Sequence, residues 1–298
     1  MDHDGALWMI HGPTASGKTR LAIDLARHLG TEVVNCDARQ VYRELRIGVA
    51  RPNPEELAEV PHHGIASHSI HEPLTAATYA AWAEPVVRDV LERCGSAVVV
   101  GGSGLYAQAL LHGLDPMPAA QSELRAELEA VWAQSPEELI QRLHQLDPEY
   151  AAAADLHNSR RVIRALEVMQ ATGIPYSQHR RGTAQRAWPV PVRELALDAP
   201  LDWLDLRIQR RCAEMMAEGL KSEALELKAY ADLSPLRTVG YQEFYAPDAP
   251  VDRDDAMTEL LALRTRQYAK RQRTWLAKIA HRVPAAEAWN YLRSYVGA

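Results

Sequence analysis

The chain has 298 residues, 47% hydrophobic and 24% charged, the make-up of an ordinary globular protein with room for one large domain or a core plus a smaller unit. No apolar run approaches a membrane span, the N-terminus lacks a basic signal start, and the separated cysteines Cys36, Cys94 and Cys212 form no C-x-x-C pair, so a reducing, cytoplasmic setting without a membrane partner is expected. A net charge of −6 does not exclude nucleic acid, because residues 260–286 carry no Asp or Glu yet hold Arg264, Arg266, Lys270, Arg271, Arg273, Lys278 and Arg282.

The apolar run Leu7-Trp8-Met9-Ile10 predicts a first strand leading into Gly12-Pro13-Thr14-Ala15-Ser16-Gly17-Lys18-Thr19, the full G-x-x-x-x-G-K-[ST] pattern. Leu21, Leu25 and Leu29 then share one face of a helix. Strand, glycine turn and helix N-terminus make a phosphate cradle: backbone N–H groups face the oxygens, Lys18 reaches the terminal phosphates, and the Thr19 hydroxyl faces a magnesium ion. A ligand carrying a di- or triphosphate is expected. Glu32-Val33-Val34-Asn35-Cys36-Asp37 predicts a second strand ending in an acid. Ligands of open α/β sheets sit beyond the carboxyl ends of the strands, so Asp37 should arrive beside the phosphate loop. Its alternative role is to cap the short turn or helix Ala38-Arg39-Gln40-Val41-Tyr42.

Residues 52–73 are irregular and hold His62, His63, His68 and His71. These lack a zinc spacing and a nearby cysteine, so exposed or substrate-facing loop histidines are expected. Thr75 caps a helix that runs toward Cys94 and Gly95, kinked or restarted at Pro85. Ala97-Val98-Val99-Val100 reads as a buried parallel strand ending in Gly101-Gly102-Ser103-Gly104-Leu105-Tyr106. An ATPase or GTPase would close such a strand with a magnesium-holding Asp. Two glycines and a hydroxyl in that place favour group transfer instead.

From 116 to 191 helical patterns take over, at Ser122–Gln134, 135–146 and 158–172, and they predict a helical insertion. The last has an apolar face of Val162, Ile163, Leu166 and Met169 and a basic one of Arg160, Arg161 and Arg164. A further helical region, 202–227, carries Arg207, Arg210 and Arg211 and is broken at Gly219; Arg237-Thr238-Val239-Gly240-Tyr241 is a turn. A long final helix starts near Asp254. Leu261, Tyr268 and Trp275 recur along it every seven residues with Ile279 on the same side, and Arg264, Arg271 and Lys278 keep the same interval on its flank. An aligned basic row without acids suits a phosphate backbone.

These pieces together resemble the tRNA dimethylallyltransferases, or tRNA isopentenyltransferases. The resemblance is carried by the phosphate loop, Asp37-Ala38-Arg39-Gln40-Val41-Tyr42, Val60-Pro61-His62-His63 and Gly101-Gly102-Ser103-Gly104-Leu105-Tyr106, followed by Arg161-Val162-Ile163-Arg164-Ala165-Leu166-Glu167-Val168, Val239-Gly240-Tyr241 and the stretch Thr265 to Trp275. It is collinear from about residue 7 to 280. It implies a P-loop-like α/β core over 1–115 and 192–298, with parallel strands and a C-terminal basic helix, and an inserted helical domain over 116–191 that contacts tRNA. The implied reaction moves a dimethylallyl group from its diphosphate to N6 of the adenosine immediately 3′ of the anticodon, with Mg²⁺ as cofactor, in a monomer.

The same resemblance assigns Asp37 as general base, Ser103 to the leaving group and to tRNA, and residues 12 to 19 with Arg211 and Arg207 to the donor diphosphate. The RNA side then comprises Asp37, Ala38, Arg39, Gln40, Ser103, Arg125, Arg160, Arg161, Arg164, Arg237, Gly240, Tyr241, Lys270, Arg271, Arg273 and Lys278. Ser103 stands where the family has Thr, and Ala38 where it usually has Ser; looser positioning of the hydroxyl and one fewer hydrogen bond near the base are the expected consequences. A small-molecule kinase with ATP in the loop, and a non-catalytic RNA-binding module, are the competing readings. The basic helix opposes the first and the intact Lys18, Thr19 and Asp37 the second.

Overall fold

The computed structural model describes residues 5–118, 121–180, 182 and 185–296. The chain forms two compact units, one from the segment up to Leu111 together with that from Ala187 onward, the other from His112–Arg186.

In the first unit β1 (Leu7–His11), α1 (Lys18–Leu29) and β2 (Val33–Asn35) are followed by α2 (Pro54–Glu59), β3 (His62–His63) and α3 (Ala76–Cys94). Then come β4 (Ala97–Gly101) and α4 (Gly104–His112). Every residue of β1, β2 and β4 is buried, as befits parallel strands covered on both faces. Thr75 and Thr78 form a capping box on α3, Gly95 ends it in the left-handed region, and the helix runs unbroken through Pro85.

The second unit consists of α5 (Ser122–Gln134), α6 (Pro136–Leu146), α7 (Pro148–Ala153), α8 (Ser159–Thr172) and α9 (Tyr176–His179). Its own core joins Leu128, Leu139, Leu143, Val162, Leu166 and neighbours. It begins and ends a few residues earlier than 116–191. Residues 187–191 belong to the first unit because the Trp188 indole donates to Leu111 O (3.0 Å) and Leu7 N donates to Pro191 O (3.0 Å).

The chain then returns as β5 (Val192–Asp198), α10 (Leu201–Ala217), α11 (Leu220–Glu226), α12 (Gln242–Tyr245), α13 (Asp254–Leu276), β6 (Arg282–Pro284) and α14 (Ala288–Val296). The sheet has six strands in the order β3-β2-β4-β1-β5-β6, all parallel. One face packs against α1 and α14, the other against α3 and α4. A third cluster, from Val41, Tyr42, Leu45 and Ile47 with α10, α11 and α13, builds the floor beyond the strand ends. β1 lies between β4 and β5, so the loop leaving it opens where connections run to opposite sides of the sheet, the general place for a ligand in this architecture.

The final helix differs from its seven-residue reading. It stops at Leu276, leaving Lys278 and Ile279 beyond its end. Its buried positions are Met257, Leu261, Ala269, Gln272 and Leu276, a 3.6-residue rhythm in which Gln272 holds a core place.

Candidate active site

The loop from β1 to α1 wraps tightly on itself. Ser16 N donates to Pro13 O (3.3 Å), and Gly17 caps α1 at φ 86°, a left-handed conformation in which a Cβ would be strained. Ala15 also sits at φ 63°, a strained value held in place by Arg207, whose Nε donates to Ala15 O at 2.7 Å. Arg211 Nη1 donates to Thr14 Oγ1 (3.3 Å), and the Arg207 guanidinium stacks over Trp203 at 4.5 Å. Two arginines from α10 are therefore brought onto the phosphate loop, where Gly12 and Pro13 are buried. Ser16 Oγ is buried with no partner among the described residues.

A cleft of about 350 Å³ opens over this loop. Thr14, Lys18, Thr19, Asp37, Arg39, Gln40, Arg207, Arg211, Gly240, Tyr268 and Gln272 line it, with an apolar side from Val49, Met215, Leu220, Val239 and Leu261. The Lys18 ammonium donates to Pro13 O (3.4 Å). Burial pushes its pKa from the usual 10.5 down to about 8, against the pull of Asp37 and with the push of Arg211. Burial also lowers the Arg211 pKa, and raises that of Tyr268 to about 12. A half-buried cation beside two arginines, with no carboxylate bonded to it among the described residues, is a site built to receive an anion.

Asp37 divides its carboxylate between two directions. Its Oδ1 accepts from Arg39 N (2.9 Å) and Gln40 N (3.4 Å), capping the turn, while Oδ2 has no partner among the described residues. Ser103 Oγ accepts from Ala38 N at 2.9 Å. The hydroxyl of the glycine loop is thus tied to the backbone beside the acid.

The remaining expected residues divide. Gln40 Nε2 is spent on Val49 O (3.2 Å) and Ala50 O (2.9 Å), leaving its Oε1 for a ligand. Tyr241, expected on the RNA side, is wholly buried. Its hydroxyl donates to Glu223 (2.5 Å), whose carboxylate also accepts Ile47 N (3.0 Å) and Gly48 N (3.3 Å), so Tyr241 braces a loop of the cleft. In the helical unit, Arg125 (2.7 Å) and Arg164 (2.9 Å) both close on Glu167, a fully buried carboxylate, and Arg164 caps Pro118 O as well. Both are thus paired with one carboxylate, whereas Arg160 and Arg161 stand exposed on α8. Arg237 lies 3.9 Å from Asp232 and Arg273 3.8 Å from Asp198, both long pairings. Lys270, Arg271 and Lys278 are exposed. Among the described residues no group of three His, Cys, Asp or Glu could hold a metal; His62 bonds Val60 O and His63 bonds Glu32.

A family model described as IPP transferase matches residues 40–279. The chain belongs to the IPP transferase family. The tRNA dimethylallyltransferase of Myxococcus xanthus is 43% identical over 276 residues, 91% of this chain and 89% of that protein. The tRNA isopentenylpyrophosphate transferase of Bacillus halodurans superposes with a TM-score of 0.66 at 34% identity, covering 98% and 97% of the two chains. A eukaryotic dimethylallyltransferase acting on tRNA gives a TM-score of 0.79 at 24% identity, covering 97% and 77%, a likeness of fold. One residue of this IPP transferase family member that the sequence pattern does not single out is Gln272, which joins two loops of the cleft.

Proposed function

We propose that this chain transfers a dimethylallyl group from dimethylallyl diphosphate to N6 of the adenosine 3′ of the anticodon in tRNA, releasing diphosphate. The observation that carries the reading is the meeting in one cleft of a half-buried Lys18, bonded to no carboxylate among the described residues, and the open Oδ2 of Asp37. The reaction breaks the bond from the allylic carbon to the diphosphate oxygen and forms one from that carbon to N6, while the N6 proton passes to a base. The adenine amine is a poor nucleophile because its lone pair is delocalised. Asp37 takes the proton as the new bond forms.

Negative charge builds on the departing diphosphate. Lys18, Arg211, Arg207 and the backbone N–H groups at the start of α1 are placed before it arrives, and that preorganisation lowers the barrier. The apolar side of the cleft accepts the five-carbon chain. Thr19 would hold a Mg²⁺ ion. No cluster of acids is available among the described residues, which fits a metal carried mainly by phosphate oxygens and water. When bound, the ion neutralises charge on the leaving group. Exposed cations on α8 and α13 take phosphates of the RNA, and the target base leaves its stack to enter the cleft.

Incubation with tRNA, dimethylallyl diphosphate and Mg²⁺ followed by nucleoside mass analysis tests this. N6-dimethylallyladenosine is the expected product. Its absence, with thermal protection by ATP and none by the prenyl donor, would return the kinase reading.

A further inference from the structure

Gln272 sits near the C-terminal end of α13, between the exposed Arg271 and the half-buried Arg273, yet only 8% of it is exposed. Its Oε1 accepts from Thr14 N at 2.9 Å, and its Nε2 donates to Gly102 O at 3.2 Å. An N–H on one side and a carbonyl on the other fix which end of the amide is which. The fit is close: a Cβ on Gly102 would stand 2.3 Å from Nε2, so any side chain there would push the amide out of this position.

The two loops thus joined carry different halves of the chemistry. Thr14 belongs to the diphosphate cradle. Gly102 immediately precedes Ser103, whose Oγ holds Ala38 N beside Asp37. Hydrogen bonds, joined through the Gly102–Ser103 peptide, therefore run from the cradle by way of one side chain of α13 to the loop of the base. Both polar ends of Gln272 are consumed by backbone, leaving it little to offer a substrate although it borders the cleft.

We propose that Gln272 is a positioning residue: it sets the spacing between the diphosphate cradle and the Ser103–Asp37 side, and so the alignment of leaving group and base. This rests on the transfer reaction proposed above. The role belongs to an amide of this length. Methionine matches its volume without either hydrogen bond, and alanine removes both volume and bonds.

The test compares Gln272→Met and Gln272→Ala with the wild-type chain below the lowest of the three melting temperatures. It measures kcat, KM for dimethylallyl diphosphate, KM for tRNA, and the affinity for inorganic diphosphate. Loss of two hydrogen bonds to backbone groups at the site is expected to lower kcat/KM for the donor by about tenfold to a hundredfold in both variants, with diphosphate affinity falling and KM for tRNA unchanged. Gln272→Met behaving as wild type while Gln272→Ala fails would make the residue mere packing and overturn the proposal. An equal rise in both KM values would overturn it too. A wild-type chain that binds diphosphate but transfers nothing counts against the reaction; wild-type diphosphate affinity in Gln272→Met counts against the positioning role alone.

Discussion

Ser103 Oγ lies 2.9 Å from the amide nitrogen of Ala38 and accepts its proton. The hydroxyl of the β4 loop and the residue after the candidate base are therefore one unit, although 65 residues separate them in sequence. The serine's lone pair is oriented by backbone, so its own proton stays free to donate to an anion. That bond supplies an orientation which the absent methyl of a threonine would otherwise help to set.

Replacement of Asp37 by Asn is expected to lower single-turnover transfer by about 100- to 10,000-fold, the usual worth of a general base. The amide oxygen can still accept Arg39 N and Gln40 N, so the turn survives. Filter binding should then give tRNA affinity near that of wild type. A parallel loss of affinity and transfer would remove Asp37 from the chemistry.

Ser103→Ala strips the acceptor from Ala38 N and, on the proposed reaction, a donor from the leaving group. A drop in kcat of about tenfold, with KM for tRNA little changed, is the expected outcome for one hydrogen bond to a charged group. Ser103→Thr restores both functions and should keep wild-type kcat. If the alanine variant alone retained full turnover, the hydroxyl would have no part in the step.

Lys18 gives donor binding a pH dependence of definite sign. In the free protein burial has lowered its pKa to about 8, so above that pH the amine is increasingly neutral. A bound diphosphate favours the charged form and raises the pKa, so binding takes up a proton in this window. The Lys18 contribution to diphosphate affinity, read as the difference from a variant sharing the ligand's own ionisation, should therefore weaken as pH rises above about 8, approaching tenfold per unit, and be flat below it. Lys18→Arg, charged throughout, should lose the slope in a calorimetric titration. A slope of the same size in that variant would assign the proton elsewhere.

Glu223 holds the loop at 46–48 by accepting Ile47 N and Gly48 N together with the Tyr241 hydroxyl. Glu223→Ala leaves those donors unmatched and should destabilise the first unit by about 2–3 kcal/mol in urea unfolding. Glu223→Gln keeps one oxygen acceptor and should fall between the alanine variant and wild type. Identical midpoints for all three chains would show the carboxylate to be dispensable.

The parts of the site that the sequence discloses are those imposed by backbone chemistry. Gly17 at positive φ, Lys18 at a helix start and Asp37 at the end of an apolar strand have local signatures. What stays hidden depends on distant partners. Arg125 reads as a surface cation until Glu167 is found beneath it, 42 residues away; the spacing of Arg164 from the same glutamate is the available hint. Gln272 reads as polar surface because only the fold reveals a carbonyl and an amide waiting on either side. β5 opens with exposed and charged residues and β6 has three residues, so neither has the pattern of a covered strand. On α13 the seven-residue spacing suggests a straight seam, but a helix of 3.6 residues per turn carries the buried line from Leu261 to Ala269 and Gln272.

The exposed cations at the C-terminal end of α13 differ in what they can give to RNA. Arg266 is already matched by Asp205 at 2.6 Å. Arg271, whose guanidinium rests 5.8 Å over the Tyr268 ring, has no acid bonded to it among the described residues, and Lys278 stands exposed past the helix end. An unmatched cation displaces counterions from a phosphate when it binds; a matched one must first give up its acid. Neutralising Arg271 and Lys278 together to Gln should therefore weaken tRNA binding and flatten the slope of log affinity against log salt by about 1.5, as expected when two cations no longer reach phosphates. Arg266→Gln should leave the slope as it is. Titrations at several salt concentrations distinguish these outcomes, and an unchanged slope in the double variant would take this end of α13 out of the RNA interface.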